Sequence, residues 1–290
     1  MDMDSFKNSV AFWTTVVGTF AGLFGIIQSR AWLAIIGAGA VTASIGTFSY
    51  AKRKGELLES AALKIAGLNI DSLNLANLRR RLNRSLVIQQ AENVAVIDGK
   101  DLTTLWKCAG YCRAERETAI EFSIDADANI PFAELDCTAF DLRRDPKRCH
   151  GIRPMLVGPD GMSKKIAVPF LAPLSSQEPF NILLRSRFAG CMKPGIDYYT
   201  TTLSFDQKHI ERYSMRLTFR QNLPQWVRVY ECDAHGDLKL LKALQVLRQT
   251  NETAEYLDTC QQIAARSARI YLFLREPASS RAGAAAAEAA

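Results

Sequence analysis

The sequence predicts a membrane-anchored α+β protein: an N-terminal two-helix transmembrane hairpin, a helical neck, and a C-terminal, mainly antiparallel β-sandwich of immunoglobulin-like kind with one or two helices. Three observations predict this fold class. Residues 10–50 carry a single charge, Arg30. The next forty residues hold most of the net charge of +6, and the chain beyond them alternates between apolar and polar positions. The predicted domains are 1–50, 51–90 and 91–276, followed by a disordered tail, 277–290.

The two apolar segments at the N-terminus have the length of membrane crossings. The first, Val10 to Ile27, has 18 residues and would span about 27 Å as a helix, close to a hydrocarbon core of about 30 Å. The second, Ala31 to Tyr50, follows after three residues, which forces two antiparallel neighbours. A signal peptide fits poorly because Asp2 and Asp4 precede the run. A buried soluble hairpin is the other alternative, although such hairpins normally keep a charged stripe.

Small residues recur along both predicted crossings. Gly18 and Gly22 form a GxxxG match, a spacing that lets helix backbones approach closely in lipid. We expect helix packing through Gly18, Gly22, Gly25, Gly39 and Gly46. This packing would occur either within one hairpin or between hairpins of different subunits.

Residues 51–90 are strongly basic, with eight Lys and Arg against three Asp and Glu, or +5. Two helices are predicted there, Lys54 to Ile65 and Ser72 to Leu86, with Asp71 as the N-cap of the second. The candidate residues for binding lipid headgroups or a partner are Lys52, Arg53, Lys54, Arg79, Arg80, Arg81 and Arg84. For the arginines of the second helix, Arg79, Arg80, Arg81 and Arg84, the phosphates of a nucleotide and acidic groups of the soluble body are alternative partners. The basic flank predicts that the N-terminus and the body are cytosolic, and seven scattered cysteines are consistent with reduced thiols there.

After residue 87 the hydrophobic period changes to that of strands. In Thr118 to Asp125, Ile120, Phe122 and Ile124 alternate with polar residues, which is typical of a half-buried strand. Further strands are predicted at 86–96, 102–111, 134–142, 153–157, 164–170, 180–188, 197–205, 213–220, 226–232, 238–244 and 270–274. Turn residues separate them, as in Gly158-Pro159-Asp160-Gly161. One helix is predicted in this body, Glu252 to Ala268.

The chain shows no sequence signature of catalysis. It has three histidines, far apart, and lacks the glycine, serine and histidine motifs of common enzymes. The nearest approach to a metal site combines Cys108, Cys112, Cys137, Cys149 and His150, but the spacing is not that of a zinc site. The segment from Asp125 through Asp127 to Asn129 lacks the glycine and glutamate of a calcium loop, and Asp136 and Asp141 add no motif. We therefore predict neither enzyme activity nor a cofactor or metal.

The order of these parts resembles two-transmembrane, β-rich effectors of bacterial anti-phage defence systems, of the cyclic-oligonucleotide or retron type. The resemblance covers the layout of the whole chain and carries over no functional residue. It implies an inner-membrane effector whose cytosolic β domain is triggered or released, after which the hairpins oligomerise and disrupt the membrane. The implied partners are the lipid bilayer, a protein partner or inhibitor from the same operon, and further copies of the chain. A nucleotide ligand has no residue-level support. The alternative is a membrane-tethered protein-interaction module without pore activity.

Overall fold

A computed structural model describes residues 82–126, 129–143, 151–233, 235 and 238–275. Every described residue belongs to one compact unit that lies within Ile65–Ala290. The described residues form twelve strands and one short 3-10 turn, Phe132–Glu134. The strands are β1 Leu86–Asp98, β2 Asp101–Cys112, β3 Glu117–Asp125, β4 Thr138–Asp141, β5 Met155–Leu156, β6 Ser163–Leu174, β7 Pro179–Phe188, β8 Gly195–Arg220, β9 Pro224–Asp233, β10 Leu238–Ala243, β11 Val246–Gln249 and β12 Thr253–Arg275.

The strands form two sheets of unequal size. The larger has the order β10-β9-β12-β8-β1-β2-β7-β4, with β11 added beside β12. The smaller has the order β3-β6-β5. The pairs are antiparallel except for β1 and β8, which run parallel from Gln90 with Arg212 to Asp98 with Arg220. This topology differs from the two antiparallel sheets of an immunoglobulin domain.

The larger sheet folds back on itself along its two longest strands. Residues 210–220 of β8 pair with 253–263 of β12, and residues 195–204 pair with 266–275. Between these stretches the register shifts, and Gln262 has a φ of 54°. The fold-back brings Tyr271 into hydrogen-bond contact with Asp258, thirteen residues away on the same strand. Straight strand would separate two such residues by about 43 Å.

We call the two halves of this sheet the main layer and the cover layer. The main layer contains β11, residues 253–263 of β12, residues 210–220 of β8, β1, β2, β7 and β4. The cover layer contains residues 195–204 of β8, residues 266–275 of β12, β9 and β10. The smaller sheet packs on the same face of the main layer as the cover layer does. Trp106 of β2 meets Phe122 of β3 edge to face at 5.6 Å, and Phe170 of β6 lies 5.9 Å from Phe180 of β7. One face of the main layer is therefore the core face, and its opposite, outer face carries exposed side chains.

Two amide side chains fix the start of β1. Asn83, at a φ of 55°, accepts a 2.7 Å hydrogen bond from the backbone N–H of Glu121 and donates one of 2.8 Å to its carbonyl. Gln207, in the bend of β8, makes the same pair of bonds with Ile88, at 2.7 and 2.6 Å. Each amide takes the place of a strand neighbour, so the backbone groups of Ile88 and Glu121 that it contacts are satisfied.

The predicted fold class is wrong for the described chain. Most of the described residues lie in strands, and no α-helix occurs among them. The helix predicted over Glu252 to Ala268 and the last strand predicted over 270–274 are one strand, β12. The end of the second neck helix, residues 82–86, is a bridge, a turn and the first residue of β1, and the boundary predicted after residue 90 falls inside β1.

The predicted inner-membrane location and transmembrane helices are also contradicted. Within the part of the chain that the structure describes, no helix is long and apolar enough to cross a membrane. The segments on which the hairpin and most of the neck were predicted, residues 1–81, lie outside the described residues, as does the predicted tail, 277–290.

Candidate functional site

A buried polar seam joins the two layers at the fold-back. The Tyr271 hydroxyl of the cover layer donates to Asp258 Oδ2 of the main layer at 2.9 Å. Lys242 Nζ of β10 lies 2.6 Å from Asp258 Oδ1, and Arg269 Nη1 lies 3.9 Å from Oδ2. Arg269 also reaches Glu231 Oε2 of β9, at 3.4 Å. Asp258 is fully buried, and a buried carboxylate keeps its charge only when such partners are present.

The seam continues through hydroxyl and amide groups. Tyr213 Oη lies 3.0 Å from Tyr271 Oη, and because Tyr271 donates to Asp258, the Tyr213 hydroxyl donates to Tyr271. The Thr201 hydroxyl bonds to Tyr213 in turn. Asn93 Nδ2 of β1 donates to Thr201 Oγ1 at 3.2 Å and to Tyr199 Oη at 3.0 Å. The hydroxyl and amide groups of the seam bond to one another, whereas Asp258 Oδ1 has only its ion pair with Lys242, and Arg269 Nε has no hydrogen-bond partner among the described residues. The seam joins the two layers.

Burial keeps the phenols of the seam protonated. Loss of hydration raises the pKa of Tyr199 to about 12, although hydrogen bonds from Asn93 and Thr201 oppose the shift. Burial also raises the pKa of Tyr213 and of Tyr271, and for Tyr271 the nearby Asp258 carboxylate raises it further. Burial raises the pKa of Tyr256, which packs edge to face on Phe219 at 5.8 Å.

We expect the protein to lose stability steeply in alkali. A phenol whose pKa is raised in the folded state binds its proton there more tightly than in the unfolded chain, where its pKa is about 10. This stabilisation is complete below pH 10 and is lost as the pH rises through the folded value, about 12 for Tyr199. Absorbance titration of phenolate, with circular dichroism in parallel, should show Tyr199, Tyr213, Tyr256 and Tyr271 ionising only as the strands unfold. Ionisation of all the phenols near pH 10 with the sheet intact would contradict this.

The outer face of the main layer carries a row of side chains that crosses six strands. Cross-strand pairing places them in the order Leu257, Arg216, Val94, Leu105, Arg185 and Thr138. Arg216 and Arg185 are exposed, Leu257 is 37% exposed, and Val94 and Leu105 between the arginines are half-buried. The row is thus a shallow aliphatic strip with a guanidinium on either side of its centre.

A second, parallel row lies four residues back along β8 and lines a groove. It contains Gln261, Arg212 and Gln90, and the pairs between strands place Thr259, Ser214 and Glu92 beside it. These six side chains line a groove of about 300 Å³. Glu92 is held by Lys107, at 3.1 Å, and by Gln90. The remaining charge in the groove is Arg212, which is exposed.

The arginines of this face differ from the ion-paired ones beside them. Arg187 pairs with Asp101 at 3.0 Å, and Arg220 lies 3.8 Å from Asp98. Within the described residues, Arg185, Arg212 and Arg216 have no ion-pair partner. We call these three residues the arginine triad. A solvated cation without a partner on a flat sheet face is available to an anionic ligand at little desolvation cost.

Most of the residues predicted as sites lie outside the described part of the chain. These are Gly18, Gly22, Gly25, Gly39, Gly46, Lys52, Arg53, Lys54, Arg79, Arg80 and Arg81. Arg84 is described, and it lies exposed in the turn before β1. The packing and binding roles predicted for all of these residues stay predictions.

The cysteines and aspartates weighed as metal ligands are in different surroundings. Cys108 and Cys112 are buried free thiols, and burial raises the pKa of Cys108. Asp141 is buried and forms a two-oxygen ion pair with Arg143, the shortest contact being 2.7 Å. Cys149, His150 and Asp127 lie outside the described residues. Among the described residues, no group of three or more His, Cys, Asp and Glu side chains is placed to hold a metal ion.

The arginine triad was missed by sequence reasoning. Its residues occupy polar positions of alternating strands, which normally indicates only a solvated face. The signal in the sequence was the four-residue spacing of Arg212, Arg216 and Arg220, which places three cations on one face of a single strand. The pattern does not show that β7 contributes Arg185 to the same row, because that depends on the order of the strands.

Comparison with known proteins leaves the family open. No family model matches the chain, and no curated protein matches it in sequence. Among solved structures, an M1 zinc metallopeptidase from Deinococcus radiodurans has 12% sequence identity and a TM-score of 0.41 over 66% of this chain and 43% of the peptidase. A mutant of the same peptidase has the same identity and coverage with a TM-score of 0.40. The chain therefore spans less than half of that enzyme, and a likeness of this size supports no conclusion on activity.

Proposed function

We propose that the β domain is a binding module that holds an acidic segment of a protein partner on the outer face of its main layer. The observation that carries the proposal is the arginine triad: three exposed guanidinium groups without an ion pair among the described residues. An acidic partner complements this charge. The interior seam supports a binding role over catalysis, because its Asp258, Tyr213 and Tyr271 are buried and hydrogen-bonded in a chain.

The chemistry of the rows favours a protein over a nucleic acid. Between Arg216 and Arg185 lie Val94 and Leu105, so no aromatic side chain separates these two arginines, and the nearest aromatic of the neighbouring row, Phe140, lies on the edge strand β4. Surfaces that bind single-stranded nucleic acids usually combine cations with aromatic rings on which bases stack. Aliphatic side chains between arginines instead match the alternating acidic and apolar residues of a peptide.

The protein partner is what we retain from the effector hypothesis and its alternative. Both hypotheses assumed a membrane hairpin, and the present proposal does not include the inner-membrane location. A binding face on the β domain needs no such anchor.

Reversing the charge of the arginine triad should abolish the binding of an acidic probe. We expect the full chain with Arg185→Glu, Arg212→Glu and Arg216→Glu to bind fluorescent poly-L-glutamate at least tenfold more weakly than the parent. Three attractive contacts become repulsive, and each exposed pair is worth about 0.2–1 kcal/mol. Fluorescence anisotropy measures the affinity. The salt is kept at about 50 mM NaCl, because the Debye length there is longer than about 10 Å and charges on the surface are only weakly screened.

The matched control reverses three exposed arginines elsewhere, with Arg113→Glu, Arg116→Glu and Arg153→Glu. It changes the net charge by the same amount and should keep binding within about threefold of the parent, a change of about 0.7 kcal/mol in binding free energy. Equal losses in both variants would overturn the proposal, as would the absence of binding by the parent. Tighter binding of single-stranded poly(dT) than of poly-L-glutamate would replace the acidic protein with a nucleic acid.

A further inference from the structure

We infer from the row of Arg216 and Arg185 that the partner segment is an extended peptide with two carboxylates four residues apart and an apolar residue midway between them. This inference rests on the proposed function and specifies the partner. It follows from the distances along the row, from the chemistry of each position, and from the direction in which a peptide would cross the strands.

The spacing of the two arginines follows from strand order. They are three strands apart, because β1 and β2 lie between β8 and β7. Neighbouring strands are about 4.8 Å apart, so their Cα atoms are separated by about 14 Å. The pairing register is direct at each step, from Arg216 to Val94, from Val94 to Leu105 and from Leu105 to Arg185. The two arginines therefore face outward from one line across the sheet.

An extended peptide matches this distance. Residues i and i+4 of an extended chain point to the same side and are about 13 Å apart. Residue i+2 points to the same side too, and it would lie about 6.6 Å along the row, between Val94 and Leu105. On an α-helix, same-face pairs are i, i+7 at about 10.5 Å, i, i+8 at about 12 Å and i, i+11 at about 16.5 Å, and each is further from the arginine spacing of about 14 Å than the extended pair is.

The side chains of the row suit each position of such a peptide. A guanidinium group binds a carboxylate through two parallel N–H donors, which fixes the direction of the contact as well as its charge. The half-buried Val94 and Leu105 offer a shallow apolar seat for the middle residue. Leu257, 37% exposed, extends the aliphatic strip beyond Arg216. The peptide would thus lie across the strands, and specificity would come from spacing as well as from charge.

Two peptides of identical composition test the spacing. Both are N-acetylated and C-amidated: Glu-Ser-Leu-Ser-Glu has the four-residue spacing, and Ser-Glu-Leu-Glu-Ser has a two-residue spacing. Each competes with fluorescent poly-L-glutamate for the full chain. We expect the first peptide to compete at least fivefold more strongly. In Arg185→Gln this preference should disappear, because one end of the row is lost. Arg187→Gln, which removes the neighbouring cation paired with Asp101, should keep it.

The outcomes separate this inference from the proposed function. Equal competition by the two peptides would overturn the inferred four-residue spacing of the carboxylates, and so would failure of both to compete at millimolar concentration. In either case the proposed function still holds if poly-L-glutamate binding depends on the arginine triad. A preference that survives Arg185→Gln also overturns the assignment of the row. Absence of poly-L-glutamate binding by the parent overturns both.

Discussion

Replacing Gly110 by alanine should destabilise the β domain by at least about 3 kcal/mol, at the upper end of overpacking effects. Gly110 lies in β2 opposite Ile88, where the β1 ladder shifts register. A Cβ atom at this position would lie 1.8 Å from the carbonyl oxygen and 2.9 Å from the carbonyl carbon of Val87. Both are backbone atoms, so no side-chain rotation relieves the clash. The start of β1 would have to move, and the fully buried Ile88 with it. Urea unfolding of the full chain, followed by circular dichroism, measures the loss.

Gly161→Ala is the matched control for this substitution. Gly161 lies in the turn before β6, and a Cβ atom there would meet nothing within 4 Å. We expect no loss, and at most a gain of about 0.4–1 kcal/mol from the reduced freedom of the unfolded chain. If Gly110→Ala unfolds at the same urea concentration as this control, the backbones of β1 and β2 do not approach each other closely at Gly110.

The strands of the body were predictable where one face is buried and the other is polar. β3 and β7 follow this pattern, and the predicted ranges 118–125 and 180–188 agree with the structure within one residue at either end. In such strands successive side chains point to opposite faces of the sheet, so the local sequence alternates between apolar and polar residues. The two long strands could not be predicted as continuous, because the bend near Gln262 and residues 205–208 interrupts the period.

The helix that was wrongly predicted over residues 252–268 has a specific cause. The segment is rich in Ala, Glu and Gln, which favour helices. In the structure Ala254 and Tyr256 alternate inward as strand residues, and the next inward position is Asp258. A buried aspartate breaks the apolar alternation, so the local pattern does not indicate a strand there. The partners that allow it, Lys242 and Tyr271, are distant in sequence, and long-range contacts decided the outcome over local propensity.

The candidate site depends on strand order more than on any local pattern. Arg216 and Arg212 share β8 and could be placed on one face from their spacing. Arg185 joins them only because β1 and β2 lie between β8 and β7. The parallel pairing of β1 with β8, two strands separated by most of the domain, is the contact that sets this order. Alternation in the sequence predicts on which face of a sheet a residue lies. Which residues of different strands lie side by side in one row depends on the long-range pairing of the strands.

Replacing Asp258 by alanine should destabilise the domain by about 3–5 kcal/mol, the range for breaking a buried ion pair by removing one partner. The substitution leaves the Tyr271 hydroxyl without its acceptor and removes the anion beside Lys242 and Arg269. Lys242 is 44% exposed and turns to water, whereas Arg269 is 7% exposed and keeps only Glu231 as an ion-pair partner among the described residues. Most of the loss therefore comes from the buried groups.

A double-mutant cycle with Tyr271→Phe separates this contact from general damage to the core. Phenylalanine keeps the ring and removes the hydroxyl, so we expect Asp258→Ala and Tyr271→Phe together to cost about 0.5–3 kcal/mol less than the sum of the single losses. Thr259→Ala, at the exposed neighbouring position of β12, serves as the control and should stay within about 0.5 kcal/mol of the parent. Strict additivity of the two substitutions, or a loss for Asp258→Ala no larger than for the control, would show that the seam does not join the layers. Because Tyr213 and Asp258 anchor the core side of the strands that carry Arg216 and Leu257 on the outer side, a weakened seam should also loosen the row on which the proposed partner lies.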